Sequence, residues 1–506
     1  MTCFDKLTKA ALLAVMSCAV CACAEIAEPL LPQEPENVQE EQRVMVVEPS
    51  KLISYDLVSV KSAALALEEA NSTMASLQDT YMEGTEGVPA FEEIECSSDT
   101  LLNLVLWTYQ VSYLSKDAAG EDIVLSTLVS FPTFKNGRKI TFSNISLSHS
   151  MFNMTDTMTK LIATVTQARC ILFRDMVVSP FYQGGGINKR KPGTFVPIAE
   201  HNLKARQAID GELAALELLD VLKDNPDLNF ELSPDYHTYN MGISNGGACA
   251  LAVLKILEND PQYADINRDK IRLGGTLMGE GSADYSILYD QCIDNYDNSI
   301  QMDFLKPDAL AATINSSYKA HAVYSPKEYF FYNDGQGEKK KLLLEDFFSP
   351  EFCAVRLQLA EGSLSFFDAY DNCYWLADVS FPSGITSEII LHGFEKLTDI
   401  LNPNLFNEDG TLDKNCKEWQ ALMRALGENS LIDGYAPKTP LLIFCSKGDT
   451  FMPYNINETL YRNLHDSGNN ENVRMRTLYG LDHFPATFYI WGFELTHRNP
   501  GKPGLF

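Results

Sequence analysis

The chain has 506 residues, 45% of them hydrophobic and 21% charged, a globular balance with room for one large domain carrying insertions or for about two to three average ones. A formal net charge of −28 excludes nucleic acid as the partner, because phosphate binding needs basic patches, and it disfavours loose adhesion to anionic membranes.

The N-terminal stretch reads as an export signal over residues 1–24. "MTCFDKLTK" carries Lys6 and Lys9, "AALLAVMSCAV" is a short apolar run, and "CACAE" supplies small residues. The apolar run is too short to span a bilayer. Ala22-Cys23-Ala24 fits cleavage before Glu25, whereas the segments around Cys18 and Cys23 resemble a bacterial lipobox. A lipid anchor through Cys18 or Cys23 therefore competes with plain secretion. Either way the expected location is the cell envelope or the exterior, with the bacterial outer membrane or periplasm favoured. Residues 25–50 are rich in Glu, Gln and Pro and read as an extended, self-repelling tether.

Of the 12 cysteines, Cys3, Cys18, Cys21 and Cys23 lie in the leader. The others show no CxxC pair and no zinc spacing, and Cys170 and Cys445 sit in apolar runs that suggest buried thiols rather than bridges.

From there the elements are expected in the following order. Residues 61–79 are helical. "VLWTYQVSY" alternates, with Val105, Trp107, Tyr109, Val111 and Tyr113 on one face; "KDAAGED" makes the turn and "IVLSTLVSF" returns as the second strand of a hairpin. "KITFSNISLS" is a strand. Residues 163–174 hold a loop and another buried strand, and "SPFYQGGG" is a glycine loop. "HNLKARQAIDGELAALELLDVL" is an amphipathic helix with Ile209, Leu213, Leu216 and Leu219 at helical spacing. The short strand "YHTYNM", a serine turn, a helix from about Gly246 and the buried strand "KIRLGGTLMG" follow. Alternating strands and helices of this kind specify a mainly parallel sheet covered by helices. The pattern breaks over 282–436, an aromatic-rich insertion expected to be mostly helical, and resumes at "KTPLLIFCSKGD" and "VRMRTLYGLDH". The organisation expected is a core at 51–281 and 437–506, with a cap at 282–436 between its halves.

Gly242-Ile243-Ser244-Asn245-Gly246 matches G-x-S-x-G in the setting that gives the motif meaning: strand, tight turn, helix. Such a turn exposes a serine hydroxyl above the sheet and leaves the Asn245 backbone N–H at a helix N-terminus, where an oxyanion would form. A serine needs a base, and the base an orienting carboxylate. Asp449 just past one late strand and His483 just past the last one supply them in the chain order Ser, Asp, His. His149 reads as a loop-packing residue rather than a second base. Gly184-Gly185-Gly186 lacks the Gly-Lys-Ser/Thr of a phosphate cradle, and no HExxH or clustered His/Asp spacing suggests a metal.

These residues resemble the α/β-hydrolase superfamily, and within it exported bacterial hydrolases related to the secretory-lipase and prolyl-oligopeptidase-like groups. The matching stretches include "SPFYQGGG", "LKARQAIDGELAALELL", "YNMGISNGGACALAVL", "LLIFCSKGDTFMPYN" and "LYGLDHF", and cover most of 100–281 and 438–495. The resemblance implies that Ser244 attacks a carbonyl carbon, that His483 moves the proton and that Asp449 holds the imidazole. A second oxyanion donor is expected from the backbone of Ser150 or Met151, in the stretch His149-Ser150-Met151 that stands where relatives carry His-Gly. No cofactor is implied. The expected substrate is a small ester or acyl compound. A serine peptidase, and a non-catalytic binding protein on the same scaffold, are the alternatives. The sequence does not indicate an oligomeric state.

Overall fold

A computed structural model describes residues 50–81, 94, 103–117, 120–149, 156–181, 200–288, 290, 401–449, 452–466 and 469–496, together with short pieces between 329 and 390. The leader, the tether, Ser150, Met151 and most of the insertion lie outside them. Among the described residues no helix is long and apolar enough to cross a membrane.

The central element is a sheet of nine strands. The strands β1 (Leu52–Ser62), β2 (Leu104–Lys116), β3 (Asp122–Phe134), β4 (Ile140–His149), β5 (Met176–Pro180), β6 (Phe230–Ile243) and β7 (Leu273–Gly279) precede the insertion. Within the insertion, β8 (Tyr329–Asn333) pairs with β9 (Lys339–Leu343), and β10 (Leu376–Asp378) with β11 (Ser387–Ile390). The chain then returns to the sheet with β12 (Leu441–Ser446) and β13 (Val473–Leu478). The spatial order is β1-β2-β3-β5-β4-β6-β7-β12-β13. The first three pairings are antiparallel; from β5 to β13 every pairing is parallel.

The helices are α1 (Ala63–Tyr81), α2 (Asp156–Phe173), α3 (His201–Leu222), α4 (Asn245–Asn259), α5 (Lys417–Gly427), α6 (Tyr454–His465) and α7 (His483–Thr496). α1, α2 and α7 pack on one another, as do α3 and α4, which gives the sheet two covered faces. That is why β12, "LLIFCS", is buried at every position.

Three expectations need correction. Residues 163–173 belong to α2 rather than to a loop and strand; the strand is the β-branched pair at Val177-Val178 just after it. β1 was not anticipated: its alternation is masked because its side chains are largely exposed, and only pairing with β2 defines it. α3 is buried on most sides, Lys204, Gln207 and Glu212 included, so several of its polar residues lie inside the protein, while Arg206 and Asp220 stay exposed. The described pieces of the insertion include helix α5 and two hairpins, one of the hairpins opening on the aromatic, strand-favouring run "YFFYN".

β2 also differs in detail. Leu104, Leu106 and Thr108 are buried, then Tyr109, Val111 and Tyr113, so the protected face changes along the strand. The second half meets α3, where Gly211 makes room: a Cβ there would lie 3.1 Å from the Tyr113 ring. In the sheet interior, Phe131, Phe142 and Phe230 form an aromatic cluster with centroids 5.2–6.0 Å apart, and Tyr109 stacks on Phe131 at 5.8 Å.

The last part of the insertion is tied to its own start and to the core. The Leu431 N–H donates to the Ala283 carbonyl at 2.8 Å, Lys255 Nζ donates to Ser430 O at 2.9 Å, and Trp419 on α5 is buried. Glu258, at the end of α4, accepts from the backbone N–H groups of Lys438 and Thr439 at 2.6 and 2.8 Å, which steers the chain into β12. Among the described residues, Cys170, Cys249, Cys416 and Cys445 are free thiols; Cys170 and Cys445 are buried, as the sequence suggested.

Phe142→Ala removes a fully buried ring from the aromatic cluster and is expected to cost about 3–5 kcal/mol. Urea unfolding checks this; a loss below about 1 kcal/mol would mean that the cluster does not stabilise the sheet.

Candidate active site

β6 ends at Ile243 and α4 begins at Asn245, so Ser244 stands alone at the joint. Its φ of 56° and ψ of −127° lie where side chains with a Cβ are strained, at a cost of roughly 1–3 kcal/mol. The joint is held shut by close backbone approach. A Cβ on Gly242 would fall 2.2 Å from the Gly246 carbonyl oxygen, and one on Gly247 would fall 2.6 Å from that of Gly279. The Ser244 N–H donates to Gly279 O at 2.7 Å, which locks the turn to the neighbouring strand.

Because β6, β7, β12 and β13 are adjacent and parallel, their C-terminal ends share one rim of the sheet. Ser244 follows β6, Glu280 follows β7, Asp449 lies just beyond β12, and His483 opens α7 after β13. Three of these residues form a hydrogen-bonded line: His483 Nε2 is 2.8 Å from Ser244 Oγ, and His483 Nδ1 is 2.7 Å from Asp449 Oδ2. All are buried.

The proton positions follow from charge. Burial alone would raise the Asp449 pKa, but His483, the Glu280 side chain and the Met452 N–H, 2.7 Å from Oδ1, together hold it below the ordinary carboxylate range. Asp449 is therefore an anion and accepts from Nδ1–H, which leaves the Nε2 lone pair to accept the Ser244 hydroxyl proton. Asp482 is not a competitor for the imidazole: its Oδ1 accepts from the His483 backbone N–H at 2.8 Å. The loops carrying Asp449 and His483 are fastened together. The Ser446 hydroxyl donates to Leu481 O, the Lys447 N–H donates to Leu478 O at 3.0 Å, and a Cβ on Gly448 would lie 2.8 Å from Leu481 O.

Of the expected oxyanion donors, Asn245 is at the N-terminus of α4; Ser150 and Met151 lie outside the described residues. His149 ends β4 and is buried, with Nε2 2.7 Å from Asn240 Oδ1. The Asn240 amide already donates to Ala250 O at 2.6 Å, so Oδ1 accepts and Nε2 of His149 carries a proton. Burial, reinforced by the Lys204 charge and opposed by the Asn240 bond, pushes the His149 pKa down to about 4.

Two neighbours of the site escaped the sequence. Lys204 on α3 is buried, its pKa pushed down to about 8 by desolvation, and its Nζ donates to the Asn245 side-chain oxygen. No local signal separates Lys204 from the other polar residues of α3, such as the exposed Arg206. Glu280 is fully buried beside Asp449; its signal was an acid directly after the strand next to the serine's own. Glu280, Asp449 and His483 offer three ligand atoms within 4.8 Å of one another, which is compatible with an ion. Both His483 nitrogens already face protein partners, so the arrangement suits proton transfer better.

No protein-family model and no curated protein matches the sequence. Solved structures do. A candidate hydrolase from Legionella pneumophila is similar at a TM-score of 0.59 and 16% identity, covering 90% of this chain and 99% of its own. The rice cell wall degrading esterase LipA from Xanthomonas oryzae is similar at a TM-score of 0.54 and 15% identity, covering 89% of this chain and 96% of its own. The chain has the α/β-hydrolase fold. At this identity the likeness concerns the fold alone. Within an α/β-hydrolase fold, the serine turn after β6 and the loops after β12 and β13 lie at one end of the sheet, where open parallel sheets bind ligands.

His149 is expected to stay neutral between pH 5 and 8. NMR of its ring should show no titration there; a midpoint near 6.5 would contradict its buried bond to Asn240. With a folded pKa below the unfolded one, this histidine's contribution to stability is complete above about 6.5 and is lost as pH falls towards about 4.

Proposed function

We propose that this protein is a serine hydrolase that cleaves carboxylic esters through an acyl-enzyme. The observation that carries this reading is the continuous Ser244–His483–Asp449 line, with contacts of 2.8 and 2.7 Å at the rim of an α/β-hydrolase fold.

In the proposed mechanism Ser244 Oγ attacks the ester carbonyl carbon while its proton passes to His483 Nε2. Asp449 stabilises the imidazolium and fixes its orientation. The Asn245 N–H, reinforced by the α4 dipole, faces the developing oxyanion. His483 then protonates the leaving alcohol. Water, deprotonated by the same nitrogen, releases the acid and restores the serine. The strained backbone of Ser244 favours this role, since strain of that kind persists where the surrounding structure requires it. The esterase named among the similar structures also favours an ester substrate. The cap at 282–436, inserted between the strands that carry Ser244 and Asp449, would shape the acyl site. From the leader sequence alone, we also propose export with a lipid anchor at Cys18 or Cys23.

Ser244→Ala and His483→Ala should each reduce ester turnover by about 10⁴-fold or more, and the double variant should lose little beyond either one. Additive losses would argue against a shared mechanism. A fluorophosphonate probe should label the wild type and not Ser244→Ala; a folded wild type that stays unlabelled favours a binding protein instead. Faster turnover of aminoacyl-nitroanilides than of p-nitrophenyl esters would move the reading to a peptidase. For the anchor, cells fed labelled palmitate should incorporate it, and incorporation should vanish on replacing the lipidated cysteine.

A further inference from the structure

Glu280 has no task in the mechanism above, yet its position is tightly specified. It is fully buried, and neither carboxyl oxygen has a hydrogen-bond partner at ordinary geometry. Its backbone takes a φ of 47°, and its N–H donates to the Phe444 carbonyl at 3.0 Å, so it is fixed between β7 and β12. Its carboxyl lies within 4.8 Å of both the Asp449 carboxylate and the His483 ring.

A buried carboxylate without a partner is costly, and two adjacent carboxyl groups do not both ionise. Asp449 is the better anion, because His483 and the Met452 N–H both donate to it. We propose that Glu280 is a positioning residue of the triad: a neutral carboxylic acid whose proton faces Asp449 and holds that carboxylate toward His483. The positioning role rests on the hydrolase reading; the location of the proton does not.

The titratable groups around Glu280 agree. Burial first, then the neighbouring Asp449 and the charge of Asp482, push its pKa well above the carboxylate range, and only the Ser446 backbone pulls the other way. The Cys445 thiol on β12, itself pushed up by burial, adds no cation. The wild type therefore pays a growing stability penalty as pH rises above about 4.3, where the unfolded chain ionises Glu280 and the folded one does not. Glu280→Gln cannot ionise, and its amide N–H can still donate to Asp449.

The test compares wild type, Glu280→Gln and Glu280→Ala. Between pH 4.5 and 8 the Tm of Glu280→Gln should rise relative to wild type, the gap widening by about 2 °C or more. On a p-nitrophenyl ester, Glu280→Ala should lose roughly 10- to 100-fold in kcat with little change in KM, the range for a hydrogen bond to a charged group, and Glu280→Gln should recover most of that loss. A Tm gap that does not change with pH overturns the proposal, as does a Glu280→Ala enzyme as fast as wild type. A widening gap in a protein whose Ser244 takes no fluorophosphonate label overturns the hydrolase reading, and the positioning role with it, while the proton on Glu280 stands.

Discussion

The site depends on a backbone constraint at one residue. Ser244 occupies a conformation that a side chain disfavours, and it is kept there by contacts that exclude other arrangements: Gly242 against Gly246, Gly247 against Gly279, and the Ser244 N–H on the Gly279 carbonyl. The same contacts bring the N-terminus of α4 directly onto the end of β6. The hydroxyl and the helix dipole therefore point at one volume, and neither can move without the other. Everything else at the rim is arranged around that fixed point.

The arrangement needs no long loops. Four neighbouring parallel strands end side by side, so residues separated by more than two hundred positions in the chain meet because sheet order replaces sequence order. β7 and β12 are adjacent in the sheet although the whole insertion lies between them. Anchoring by Glu258 and by the Leu431–Ala283 bond returns the chain to the correct edge after that excursion.

The surroundings of the line are unusually ionisable for a protein interior. Lys204, His149 and Glu280 are all buried, and in each case desolvation is the largest influence, pushing toward the neutral form. Asp449 departs from this: it faces a base, a second carboxyl and a backbone N–H, and stays charged. A buried anion hydrogen-bonded to Nδ1 gives the imidazole one direction in which to orient, which is what a proton relay requires.

The local signals that were legible in the sequence were those written in short-range chemistry. G-x-S-x-G with an apolar run before it and a helix after it located Ser244, and apolar strands followed by Asp449 and by His483 located the other two, because a turn or a strand end is encoded within about ten residues. Elements that depend on distant partners were not legible. α2 has no helical period legible in its sequence because it packs on two helices, and β1 is not legible because only its pairing with β2 makes it a strand. Glu280 and Lys204 illustrate the same limit: a charge in the sequence looks solvated until packing closes over it. The sequence by itself determined the kinds of residue available and the turns that present them. Tertiary structure decided which would touch and which would lose their charge, since distance and desolvation belong to the folded chain and not to the order of its residues.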